Sequence, residues 1–120
     1  MIHSNATVLL VDDDKAVLKI HTFYLERMGY KVIAVSSGCA ALAEFRRQPD
    51  LFDMLVSDFQ MPGMNGLELI AEMRKLVPDL PVLMVSGYAD DVLIHQLMAE
   101  KVKLATKPLT YSAFSSLMEQ

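Results

Sequence analysis

Short apolar runs recur along the chain and alternate with longer stretches whose apolar residues fall at helical spacing. The runs at 8–11 (VLLV), 32–35 (VIAV), 54–57 (MLVS), 82–85 (VLMV) and 103–106 (KLAT) predict five strands. The first four are almost continuously apolar, which predicts strands covered on both faces. Between them, 15–28 carries Val17, Leu18, Phe23, Leu25 and Met28 and stops at Gly29, a residue suited to a left-handed C-terminal cap. A second helix is predicted over 37–47 on Ala41, Leu42 and Phe45, and a third over 66–76 on Leu67, Ile70 and Met73, with Val77 beyond it. The last two are expected over 90–100 and from Thr110 onward. Pro62 breaks the chain after the third strand, and Pro78 and Pro81 bracket a turn into the fourth. Five strand–helix repeats are the signature of parallel βαβ units, so the fold class is α/β.

With 120 residues, 52% of them hydrophobic, the chain suits one domain, 1–120, around a single core. The tail stops at Gln120 after about two and a half helical turns, so a domain excised from a longer chain is expected. Eleven basic and fifteen acidic residues give a net charge of −4 with no basic stripe, which argues against direct nucleic-acid binding. No apolar run approaches the ~18 residues of a membrane span, and the first five residues, MIHSN, lack a signal-peptide core. A soluble cytoplasmic domain is expected. The single cysteine, Cys39, has no partner for an internal disulfide, which suits a reducing compartment, and is expected to be a small buried hydrophobe.

In an open parallel sheet, ligands bind beyond the carboxyl ends of the strands, so the residues following each strand carry the information. Asp12, Asp13 and Asp14 follow the first strand; Asp58 and the turn Gln60, Met61, Pro62 and Gly63 follow the third; Ser86 and Gly87 follow the fourth; Lys107 and Pro108 follow the fifth. Taken singly, each has a plain structural reading. Asp14 suits a helix N-cap, while Ser86, Asp58 and Lys107 suit turns. Taken together, they place carboxylates, a hydroxyl and an ammonium along one edge. Neighbouring carboxylates repel, and a hard divalent cation compensates them; Mg²⁺ takes one or two carboxylates, waters and phosphate oxygens. On this reading Asp13 and Asp58 are direct ligands, Asp12 holds the metal or its water, and the Gln60 backbone carbonyl is a neutral ligand. An ionised aspartate is also a nucleophile toward phosphorus, with Lys107 and Ser86 placed to stabilise the phosphoryl oxygens. His3, His21 and His95 lie in separate segments with no metal-ligand spacing, so structural roles are expected.

These residues together resemble the receiver domain of two-component response regulators, across nearly the whole chain. VLLVDDD is similar to the family's acidic pair at Asp12 and Asp13, LVSDFQMPGMNG to its acceptor segment at Asp58, PVLMVSG to its switch hydroxyl at Ser86, and TKP to its lysine at Lys107 before a cis proline. The resemblance implies a flavodoxin-like, doubly wound five-stranded parallel sheet in order 2-1-3-4-5 with helices on both faces. It implies that a histidine kinase or phosphotransfer domain donates a phosphoryl group to Asp58 with Mg²⁺, or Mn²⁺ as substitute. The domain then catalyses its own phosphorylation and dephosphorylation without turning over a separate substrate. An output partner or self-dimer is expected on the face of the fourth helix, fifth strand and last helix, around Leu104, His95 and Tyr111.

Two positions depart from the family pattern. Leu104 stands where receivers usually carry a switching aromatic residue, leaving Tyr88 as a candidate substitute. Glu100, Lys101, Val102 and Lys103 replace a small-residue turn before the fifth strand. Two other functions are weighed against a phosphorylated receiver. A small haloacid-dehalogenase-like phosphatase would use Asp12 as nucleophile and Asp14 as acid, but its later acid pair, Asp90 and Asp91, precedes Lys107 where it should follow. A receiver-shaped module that is never phosphorylated would not need Asp13, Asp58, Ser86 and Lys107 all intact.

Overall fold

Successive strand residues point to opposite sides of a sheet, and this period of two divides the apolar core into two halves. In the computed structural model, which describes residues 5–119, the strands are β1 (Thr7–Val11), β2 (Lys31–Val35), β3 (Met54–Asp58), β4 (Val82–Ser86) and β5 (Lys103–Thr106). The helices are α1 (Lys15–Arg27), α2 (Gly38–Arg47), α3 (Gly66–Arg74), α4 (Asp91–Ala99) and α5 (Tyr111–Met118). All pairings are parallel and the order is β2-β1-β3-β4-β5. Leu9, Val11, Leu55, Val82 and Met84 pack with Phe45 of α2, Met73 of α3 and Leu97 of α4. Val8, Leu10, Val56, Leu83 and Val85 pack on the other side with Leu25 of α1 and Phe114 of α5. The sheet is therefore doubly wound, as expected.

Three differences from the sequence expectation have simple causes. The edge strand β2 is only partly covered, unlike β1, β3 and β4, because it pairs with β1 alone; its continuous apolar run overstates its burial. Cys39 is exposed rather than buried. The buried stripe of α2 runs through Gly38, Ala41, Leu42 and Phe45, at helical spacing, and position 39 falls off it. Phe23 is likewise 58% exposed, because α1 buries His21 and Leu25 instead.

Local chemistry sets the helix ends. Gly29 takes a left-handed conformation (φ 101°), and its N–H and that of Tyr30 donate back to Glu26 and Leu25 carbonyls, closing α1. A short 3-10 turn (Pro49–Leu51), unanticipated from the pattern, leads into β3. The helix expected over 66–76 stops at Arg74, while α2, α4 and α5 start one residue late because Ser37, Asp90 and Thr110 are N-caps rather than helical residues. His95 is exposed and His21 buried, and His3 lies outside the described residues.

Candidate functional site

The sheet delivers its polar residues to one edge because β1, β3, β4 and β5 all end there. Asp58 and Ser86 are the last residues of β3 and β4, one position further into the strands than expected. Asp12, Asp58 and Ser86 are buried, whereas Asp13 is exposed. Beyond β1, Asp14 caps α1, its Oδ1 accepting from Ala16 N–H at 3.0 Å and Val17 N–H at 3.2 Å. Asp12 Oδ1 accepts from Asp14 N–H at 2.9 Å. Its Oδ2 is left to the Lys107 ammonium, 3.1 Å away.

Lys107 lies after β5 at the cis Lys107–Pro108 peptide, and its Nζ is also 3.3 Å from Asp58 Oδ1. One ammonium thus bridges two buried carboxylates. Carboxylate oxygens of Asp12, Asp13 and Asp58 lie within 4.8 Å of one another. Among the described residues these three carboxylates have the single ammonium of Lys107 paired with them, and the carboxyl groups respond to the excess negative charge. Burial pushes the Asp58 carboxyl up from 3.8 to about 6, the Asp12 charge and a contact with Asp13 push the same way, and Lys107 only partly opposes them. Burial pulls Lys107 down, but its hydrogen bonds and charge pairing with Asp12 and Asp58 outweigh this and raise its pKa. A hard divalent ion fits this oxygen-rich donor set.

Ser86 is tied to Lys107 through the backbone, Lys107 N–H donating to the Ser86 carbonyl at 2.8 Å. Its hydroxyl is turned away from the carboxylates onto its own loop. It donates to the Tyr88 carbonyl and accepts from Tyr88 N–H at 3.2 Å. Gln60 is exposed in the turn between β3 and α3, two residues after Asp58. Leu104 is half-buried against the core on the α2, α3 and α4 side, and Tyr88 is 67% exposed.

Several residues that hold the site escaped sequence reasoning. Ser57 is buried and donates its hydroxyl to the Asp58 carbonyl at 2.9 Å, yet in the sequence it is only a polar residue in a strand. Gly66 donates to Phe59 O at 2.8 Å, and a Cβ there would lie 2.4 Å from Met84 Sδ and 3.0 Å from Asp58 O. Asn65 and Glu68 form a reciprocal capping box on α3, with both bonds at 2.9 Å. That pair was legible, as a capping residue followed three positions later by glutamate.

Comparison with known proteins places this geometry. The family model described as "Response regulator receiver domain" matches residues 8–118. Sensor kinase CckA of Brucella abortus is 36% identical over 117 residues, spanning 97% of this chain and 12% of that protein. Transcriptional regulatory protein GlrR of Escherichia coli is 33% identical over 125 aligned positions, spanning 100% of this chain and 28% of its own length. The chain thus spans less than a third of either relative. Among solved structures, a response regulator receiver domain protein from Clostridium thermocellum is 27% identical with a TM-score of 0.88, covering 95% of this chain and 91% of its own. The receiver domain of the hybrid histidine kinase CckA is also 27% identical, with a TM-score of 0.81 and coverage of 96% and 97%.

Proposed function

Because the chain belongs to the response regulator receiver domain family, we propose that Asp58 accepts a phosphoryl group in the cytoplasm from the phosphohistidine of a histidine kinase or phosphotransfer domain, and that this switches an output surface. The observation that carries this reading is the placement of buried Asp58 beside Asp12, Asp13 and the bridging Lys107. An Asp58 carboxylate oxygen attacks phosphorus in line, the new P–O bond forming as the P–N bond to the donor imidazole breaks. The donor ring, carrying its proton on the other nitrogen, takes the P–N electron pair and leaves as neutral imidazole, and Asp58 needs no general base because its ionised form is already the nucleophile.

Lys107 lies where charge builds on the phosphoryl oxygens and stabilises it there. Ser86 would turn its hydroxyl from Tyr88 toward one of those oxygens. Asp12, Asp13, Asp58 and the Gln60 carbonyl would hold Mg²⁺, or Mn²⁺ in its place, and the ion when bound neutralises carboxylate and phosphoryl charge together. The phosphatase alternative is not favoured: Asp14, which it would need as acid, serves as the N-cap of α1 through its Oδ1, and Asp90, of the later acid pair, caps α4.

Incubation with acetyl phosphate, followed by intact-mass measurement, tests the reading. A gain of one phosphoryl group that requires Mg²⁺ and vanishes in Asp58→Asn supports it. No gain under any condition would overturn it in favour of an interaction module that is never phosphorylated. For the output, the face of α4, β5 and α5 is favoured by the exposed Val92, His95 and Met98 along α4. An interface mapped wholly elsewhere would contradict that assignment.

A further inference from the structure

One edge of the sheet is open. Strand β2 pairs with β1 alone, and the period of two along it decides which of its backbone groups are left over. Lys31 N–H donates to the Ala6 carbonyl at 2.9 Å, and the Val35 carbonyl accepts from Asp12 N–H at 3.3 Å, so residues 31, 33 and 35 turn their backbone groups toward β1. Val32 and Ala34 therefore turn theirs outward. Edge strands are commonly guarded by proline, by a bulge or by charged side chains. From Val32 to Val35 this strand has none of these, and Lys31 stands only at its start.

Helices α1 and α2 lie on opposite faces of the sheet, and a groove of about 750 Å³ bounded by both, with β2 as its floor, follows this edge. Leu18 and the exposed Phe23 supply the apolar part of the α1 wall. The charges of that wall are segregated. Lys15 and Lys19 stand at the end near the carboxyl edge of the sheet, and Glu26 stands at the other. Among the described residues none of the three is in an ion pair. A two-fold axis perpendicular to the sheet at Ile33 sets β2 antiparallel to a copy of itself and lays each lysine end on the Glu26 end of the other copy. The same axis puts Val32 opposite Ala34 of the other copy, so that their outward N–H and carbonyl groups bond each other. Helix α1 rests over β1 and β2, its Leu18 and Leu25 sharing one cluster with Val8 and Val32. At a strand spacing of ~4.8 Å the two α1 helices then lie about 10 Å apart, the distance at which helices pack, with Leu18 and Phe23 between them.

We propose that β2 is a dimer edge, at which two copies of this chain join antiparallel into one continuous sheet of ten strands, five from each copy, with α1 packed against α1 across the axis. A closed two-fold contact requires a surface that is its own complement. A groove with like charge at both ends would repel its copy, whereas this one, basic at one end and acidic at the other, attracts it. The contact leaves β5, at the far edge of the sheet, and the face it shares with α4 and α5 free for output. It does not depend on phosphorylation of Asp58.

Sedimentation equilibrium of the whole chain, from low micromolar to millimolar concentration and without any phosphoryl donor, tests this, with circular dichroism to confirm that each variant folds. The wild-type protein should form a reversible dimer. Phe23→Lys, at an exposed position, should raise its dissociation constant at least ~10-fold, and Glu26→Lys should weaken it as well. Combining Glu26→Lys with Lys15→Glu and Lys19→Glu exchanges the two ends of the groove and should restore the dimer to within a few-fold of wild type, which a general loss of stability would not do. Amide exchange followed by NMR should slow at Val32 and Ala34 as the concentration rises. A chain that stays monomeric at millimolar concentration overturns the proposal. So does a dimer that Phe23→Lys leaves intact, or a charge exchange that restores nothing.

Discussion

At the scale of single residues, the site is a charge imbalance held in a buried place. Asp58 is costly to ionise there, and its carboxyl sits near 6 rather than 3.8 because of burial and the Asp12 charge. Between those two values the folded chain binds a proton that the unfolded chain has released, so stability falls as pH rises from 4 to 6 and stays reduced above that. Asp58→Asn removes the penalty. In metal-free solution at pH 7 it should be more stable than wild type by on the order of 2 kcal/mol, with the difference shrinking as pH falls from 6 to 4, as read from chemical denaturation across pH. Added Mg²⁺ should stabilise the wild type and leave the variant nearly unchanged. Lys107 has the opposite role, its ammonium paired with both Asp12 and Asp58. Lys107→Met should slow phosphorylation by acetyl phosphate at least ~100-fold while the domain still folds, measured by intact mass over time. A rate within a few-fold of wild type would remove Lys107 from the mechanism.

At the scale of elements, the acceptor turn is fixed by contacts that sequence patterns reveal unevenly. Asn65 and Glu68 announce the start of α3, and Asn65→Ala should cost about 1 kcal/mol in denaturant unfolding. Gly66 announces nothing, because the close approach of Met84 and the Asp58 carbonyl exists only once β3, β4 and α3 are assembled. Gly66→Ala must displace a fully buried Met84 side chain and press on the Asp58 peptide, at a cost of about 1–3 kcal/mol. It should also slow phosphoryl transfer, a loss that Asn65→Ala does not share. The misplacements of Cys39 and Phe23 have the same origin. Apolar spacing identifies a helix, but which of two neighbouring stripes is buried depends on the sheet face beneath it.

At the scale of the whole molecule, the α/β class followed from alternation, because parallel strands connected by helices must be covered on both sides and must align their carboxyl ends, while the strand order followed from the family resemblance. The acidic residues, the serine and the lysine were legible for that reason: each directly ends or follows a strand. What the linear pattern did not contain was the direction of the Ser86 hydroxyl, folded onto Tyr88, and the Arg74 contact between α3 and the end of α4. Both are long side chains or rotamers choosing among carbonyls that only the folded chain presents. The edge position of β2 was not in the apolar pattern either, since an outer strand can carry the same run as a central one; it came with the strand order that the resemblance implied.

The central claim is that Asp58 itself becomes the acyl phosphate. The most direct measurement is borohydride reduction of the domain after treatment with acetyl phosphate and Mg²⁺, followed by peptide sequencing in the mass spectrometer. Borohydride converts an aspartyl phosphate to homoserine, so the account predicts homoserine at position 58 and unmodified aspartate at 12 and 13. Homoserine at Asp12 or Asp13 instead, or at none of the three while the intact mass shows a phosphoryl group, would contradict it.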